Sequence, residues 1–199
     1  MYERALAISE RAQGPNHPDV AVSLNNLTSV LGKTGAYAEA RALSERALAI
    51  QEKALGPEHP GVALSLNNLA AVLVGTGAYA EARALSERAL AIQEKALGPE
   101  HPDVARSLYN LAGMHLVDKP QDALPLFERA LSIYTAHEGI QSGEMDAQFG
   151  LAKALVATQG DRARALALAG KARAGFREAG DLDPLAEVER FLAEQALGQ

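Results

Sequence analysis

Residues 35–60 read GAYAEARALSERALAIQEKALGPEHP, and residues 77–102 repeat all 26 letters in the same order. The offset is 42 residues, and shorter signatures keep the same period. Gly14-Pro15-Asn16-His17-Pro18 recurs as Gly56-Pro57-Glu58-His59-Pro60 and as Gly98-Pro99-Glu100-His101-Pro102. Leu24-Asn25-Asn26-Leu27 recurs as Leu66-Asn67-Asn68-Leu69 and Leu108-Tyr109-Asn110-Leu111. Self-similarity at one fixed offset marks a tandem array, in which each unit buries its apolar face against its neighbours.

Each period reads as two helices. Val62, Leu66, Leu69 and Leu73 fall at i, i+4, i+7 and i+11, one face of a 3.6-residue helix. Gly75-Thr76-Gly77 breaks the pattern. From Ala78 to Leu97 the chain is rich in Ala, Leu, Glu and Arg, strong helix formers. Its Ala82, Leu85, Ala89, Leu90 and Ile92 share one face, and Gly98-Pro99 ends it. Pro102 suits a first helical turn, and Asp103 puts negative charge at the positive end of the helix dipole. No segment alternates with period 2, so the expected fold is all-α.

These features resemble the tetratricopeptide repeat family. Leu69-Ala70 and Leu73 carry the likeness in the first helix; Gly77, Tyr79, Ala82 and Ala89 carry it in the second. The 42-residue length with NNLA and GPxHPxVA is similar to the longer repeats of kinesin light chains and many bacterial proteins, over about residues 1–137. The resemblance implies a right-handed α-solenoid of stacked antiparallel helix pairs, with first helices on a concave side. Residues 1–14 are expected to be the second helix of a truncated repeat, since Glu3 to Ile8 matches Glu45 to Ile50. Residues 15–56, 57–98 and 99–139 are expected as repeats, 140–180 as a divergent repeat, and 181–199 as a capping helix that opens near Asp183-Pro184. The third repeat drops one residue near Val117-Asp118-Lys119-Pro120 and puts Phe127 where Ser44 and Ser86 stand. Met1 reads as a cut through a longer array or an odd start, and Gly198-Gln199 as a C-terminus. The wording GDRARALALA is loosely similar to C-terminal repeat regions of large bacterial signalling proteins, some of them serine/threonine kinases.

Composition narrows the function classes. The 199 residues include no cysteine, which excludes disulfides, thiolate metal sites and cysteine nucleophiles. No apolar run approaches the roughly 18 residues a membrane span requires. The charged opening is not a signal peptide, so a cytoplasmic location is expected. A net charge of −6 argues against nucleic acid and anionic membrane as partners.

Catalytic and cofactor patterns fail on context. Gly75-Thr76-Gly77-Ala78-Tyr79-Ala80 fits GxGxxA, but it follows a helix where a dinucleotide site needs a strand. Gly32-Lys33-Thr34 ends like a phosphate loop, yet Leu27 occupies the position of its first glycine. Asn26-Leu27-Thr28 is a glycosylation sequon by letter only, lying within a helix. His17, His59 and His101 recur as turn or packing groups, about 10 Å apart in adjacent repeats and too far to share one metal. His115 and His137 are isolated, and Ser44 and Ser86 have no histidine at a useful spacing. Runs such as Glu81/Arg83 and Glu87/Arg88 read as solvated helix faces. No catalytic residue, cofactor or metal is expected.

What remains is a surface. Asn26, Asn68 and Asn110 precede the first-helix core leucines and are expected to face the groove. An amide both donates and accepts, so it can hold peptide backbone without selecting side chains. In similar repeat domains asparagine at this position does contact peptide backbone. Asn25 and Asn67 are weaker candidates; the alternative for all five is a brace between helices. Selectivity should come from positions that vary: Val22, Asn25 and Ser29; Leu64, Asn67 and Ala71; Arg106, Tyr109 and Gly113. Arg106 and Tyr109 supply the charge and the aromatic ring, both frequent anchors in binding sites, unless Tyr109 packs on the fourth repeat. The basic clamp for a free C-terminal carboxylate is missing apart from Arg106. The expected function is a scaffold that binds an extended peptide or a partner helix. The alternatives are a regulatory segment of a larger bacterial signalling enzyme, or a unit that self-associates through its N-terminal half repeat.

Overall fold

Four helices open on a proline, whose missing N–H costs nothing at a first helical position. The computed structural model describes residues 2–137 and 139–197. The expectations attached to Met1 and to Gly198-Gln199 lie outside the described residues. The helices in chain order are α1 (Tyr2–Gln13), α2 (Pro18–Lys33), α3 (Tyr37–Leu55), α4 (Pro60–Gly75) and α5 (Tyr79–Leu97). They continue as α6 (Pro102–Asp118), α7 (Pro120–Ala136), α8 (Gln141–Ala157), α9 (Arg162–Ala179) and α10 (Leu182–Leu197). There is no strand among the described residues, and no helix there is long and apolar enough to cross a membrane.

The periodic histidines have a specific local task. His17, His59 and His101 are the N-caps of α2, α4 and α6. Each Nδ1 accepts the N–H two residues on, from Asp19 at 3.2 Å, Gly61 at 3.0 Å and Asp103 at 3.1 Å. A cap of this kind satisfies one of the orphan amides of a first turn. At the other end, the turn after α4 is held by Thr76, whose hydroxyl donates to the Leu73 carbonyl at 2.9 Å. Gly77 then reverses the chain at φ +80°, a conformation that strains any residue with a Cβ. Gly35 does the same at φ +79° after α2. The GxGxxA letters at 75–80 are therefore a helix-to-helix turn.

The chain divides into two compact units, Met1–Pro99 and Glu100–Gln199. In the first, α2 pairs with α3 and α4 with α5, while α1 packs on α2 and α3 on α4. Val20, Ala21, Leu24, Ala47 and Ile50 form one buried cluster, with Leu6 and Leu43 against it. Val62, Ala63, Leu66, Ala89 and Ile92 form the next, with Leu48 and Leu85 against it. Every member of the second lies one period beyond its counterpart in the first. Full burial of a side chain such as Leu24 or Leu66 is worth about 1.5–3 kcal/mol.

Polar braces follow the same period. Arg46 pairs with Glu10 at 2.7 Å and donates to the Pro15 carbonyl at 3.0 Å. One period on, Arg88 pairs with Glu52 at 2.7 Å and donates to the Pro57 carbonyl at 3.1 Å. Arg88 is half-buried, so the expectation of a purely solvated face is corrected there. Arg41 reaches both Glu45 at 2.8 Å and Glu81 at 3.1 Å.

In the second unit α6 pairs with α7 and α8 with α9; α7 packs on α8 and α10 on α9. One buried cluster draws on each of α6 to α10, including Phe127, Phe149, Phe176, Leu151 and Val188. Phe127 lies against the bare backbone of Gly150, where an added Cβ would sit 2.3 Å from its ring. Phe149 meets Phe191 of α10 edge to face at 5.5 Å. Lys119 is the single residue between α6 and α7, which is where the sequence loses one position.

Candidate functional site

In the first unit the two asparagines of α2 part company. Asn25 is 4% exposed and donates its amide to Ser65 Oγ on α4 at 2.9 Å. It braces neighbouring first helices, and its amide does not reach solvent. Asn26 is exposed. On α4, Asn68 is half-buried and lines a cavity of about 430 Å³ with Thr28, Ser29, Gly32, Tyr37, Ala71, Val72, Val74 and Gly75. Of the other variable positions, Val22 and Leu64 are 50% and 47% exposed, and Ser29 and Ala71 are exposed. Asn67 is only partly exposed.

The second unit brings three expected residues to one place. Arg106, Tyr109 and Asn110 sit at i, i+3 and i+4 on α6 and share a cavity of about 430 Å³. Pro102 and Asp103 complete the α6 wall; Tyr134 comes from α7, Ile140 precedes α8, and Ser142, Gly143 and Asp146 come from α8. Tyr134 lies across Gly143, where an added Cβ would fall 2.7 Å from its ring. Tyr109 meets Phe127 edge to face at 5.7 Å. Tyr109 therefore both packs inward and lines the cavity.

The electrostatics follow from this half-burial. Arg106 pairs with Asp103 at 2.9 Å, one turn earlier on α6. Burial pushes the Asp146 carboxyl up from its ordinary range; Asp181 and Glu187 push the same way and Lys153 opposes them. Burial likewise pushes the Tyr109 phenol up to about 12, with help from Asp146, Glu187 and Tyr134. Tyr134 is raised by burial, opposed by Arg106 and assisted by Asp146 and Asp103. Lys153 pairs with Glu187 at 3.1 Å and sits over the Phe149 ring at 4.4 Å.

Tyr134, Gly143 and Asp146 were not legible as site residues. Tyr134 lies on α7 in the register of Gln51 and Gln93, while Gly143 and Asp146 lie on α8, where the repeat signatures have faded. The available signal was Asp103, Arg106 and Asn110 at i, i+3 and i+7, one face of a single helix. Elsewhere, His115 Nδ1 is buried without a hydrogen bond, 3.8 Å from Asp122 Oδ2. No group of three or more His, Asp or Glu side chains among the described residues is placed to hold a metal ion.

Helix pairs with a 42-residue period, capped at each first helix and presenting variable residues on its face, define a helical-repeat protein of the interaction type. The chain belongs to the tetratricopeptide repeat family, whose model matches residues 1–53, 29–95 and 63–136. Its fold is an all-α solenoid of that family's kind. Among solved structures it is similar to a kinesin light chain of Podosopora anserina with nearly identical TPR-like repeats, at 30% identity and a TM-score of 0.71 over 90% of this chain and 85% of that one. It is also similar to BtubC (BKLC) from P. vanneervenii, at 24% identity and a TM-score of 0.77, over 91% of this chain and 72% of that one. YrrB, described as a TPR protein with an unusual peptide-binding site, shares 18% identity and a TM-score of 0.58 over 98% of both chains. A search of curated proteins finds no match to the chain.

Proposed function

We propose that this chain is a protein-interaction module that holds an extended peptide against the faces of its first helices. The observation that carries this is the convergence of Arg106, Tyr109 and Asn110 on one cavity of about 430 Å³. Asn110 and, in the first unit, Asn26 and Asn68 supply amides that pair with peptide N–H and C=O groups. Arg106 and Tyr109 supply the side-chain discrimination. The surface is pre-formed on helices, so the ordering cost of binding falls on the peptide and not on the protein. That YrrB is a peptide-binding protein of the same fold supports the reading.

A phage-displayed library of random peptides, panned against the full chain, tests it. Selected peptides should weaken about tenfold or more by fluorescence anisotropy when Asn110 or Asn68 becomes Ala, with the circular dichroism of the protein unchanged. Failure to select any saturable binder, or binders indifferent to both changes, would reject the module.

A further inference from the structure

We propose that the cavity between α6, α7 and α8 receives one basic side chain, Lys or Arg, of the bound peptide, with Asp146 as counter-ion and Tyr109 and Tyr134 as walls. This builds on the peptide-binding role above and names what the second unit selects.

The charge balance leads there. Arg106 is already matched by Asp103 at 2.9 Å, and Lys153 by Glu187 at 3.1 Å. Among the described residues no cation lies within ion-pairing distance of Asp146, although it is half-buried in the cavity wall. Asp181 adds negative potential from beyond α9, and Glu187 adds it from α10. The facing groups on all four helices therefore leave an excess of negative charge at Asp146. A half-buried carboxylate without an ion-pair partner has lost water, and the attraction of Lys153 offsets that loss only in part. An incoming ammonium or guanidinium restores that loss, and aromatic rings beside it favour the cation further.

An acidic ligand meets the opposite conditions. It would have to break the Arg106–Asp103 pair and approach Asp146 at the same time. A net charge of −6 over the chain also steers cationic peptides in and acidic ones away. The geometry is selective as well: Gly143 leaves room for the Tyr134 ring, which keeps the aromatic wall in place.

The test uses four phage libraries of short random peptides whose central residue is fixed as Arg, Lys, Ala or Glu. The Arg or Lys library should enrich against the full native chain. Its selected peptides should lose about tenfold or more in affinity when the central residue becomes Ala, and again when the protein carries Asp146→Asn. Ser142→Lys, at an exposed position on the cavity rim, places a cation in the site from within and should block the same peptides even if D146N folds poorly. Amide NMR signals of Tyr109 and Tyr134 should shift with the Arg or Lys peptide. Equal enrichment of the Ala or Glu library would overturn the cation site while leaving the module intact. So would basic peptides indifferent to both D146N and S142K. Enrichment of none of the four would overturn both.

Discussion

In the first unit the buried clusters around Leu24 and Leu66 are the same seven side chains set one period apart, and α3 and α5 are identical in sequence. The second unit keeps the buried members of that set at Val104, Ala105, Leu108, Ala130 and Ile133, and adds a further cluster built on rings. Phe127 takes the position of Ser44, and Phe149 and Phe176 join it in a single cluster. Ser44 is fully buried and spends its hydroxyl on the Ala40 carbonyl at 2.8 Å and on Thr28 at 3.2 Å. Small residues let the copied helices approach closely and with the same geometry each time. Large ones tie the diverged helices to particular partners, as Phe127 does against Gly150 and Tyr109.

The sharpest way to break this contrast is to exchange the two positions. Phe127→Ser should cost about 3–5 kcal/mol, read as lost hydrogen-exchange protection across the second unit. Ser44→Phe should cost about 1–3 kcal/mol through overpacking, with the loss confined to the first unit. Equal tolerance of both changes would mean that the two cores are not differently committed. Next comes the asparagine pair. Asn25→Ala should lose about 1–3 kcal/mol by stranding Ser65, whereas Asn26→Ala should stay within about 0.5 kcal/mol in urea unfolding. A smaller effect is expected at the caps. His59→Ala should cost about 1 kcal/mol, and His59→Asn should recover most of it, because asparagine is itself a good cap.

The smallest effect has the opposite sign. The folded chain raises the Asp146 carboxyl, so it holds that proton more tightly than the unfolded chain does. The contribution of this group to stability is therefore greatest below the ordinary carboxyl range, and it falls as pH rises through the shifted one. Asp146→Asn removes that loss. Its melting temperature at neutral pH should rise slightly, and the difference from the native chain should vanish in acid. A lower melting temperature at neutral pH would show that the carboxylate is favourably engaged within the folded chain.

The copied half was easy to read for the same reason that it is simple. Its period, helix breaks and core positions such as Val62, Leu66 and Leu73 are written in local spacing. The capping role of His59 was less evident, because histidine is a rare choice there and its recurrence alone fits any turn. Asn25 and Asn26 are adjacent letters with different fates, decided by Ser65 forty residues away. Asp146 depended on contacts between helices that share no register, which spacing along one chain does not encode. Tyr109 stood out because it interrupted the asparagine series, and its dual place against Phe127 and in the cavity required the fold.

The paired braces Arg46–Glu10–Pro15 and Arg88–Glu52–Pro57 carry an evolutionary consequence. At these braces, and at the seven cluster positions, each copy offers its neighbours the same side chains. A recombination event that inserted or removed one whole period within the first unit would rejoin matching surfaces and leave no junction to repair. Length is thus a freely adjustable trait in that half. The same event through α7 or α8 would separate Phe127 from Gly150 and erase the cavity in one step.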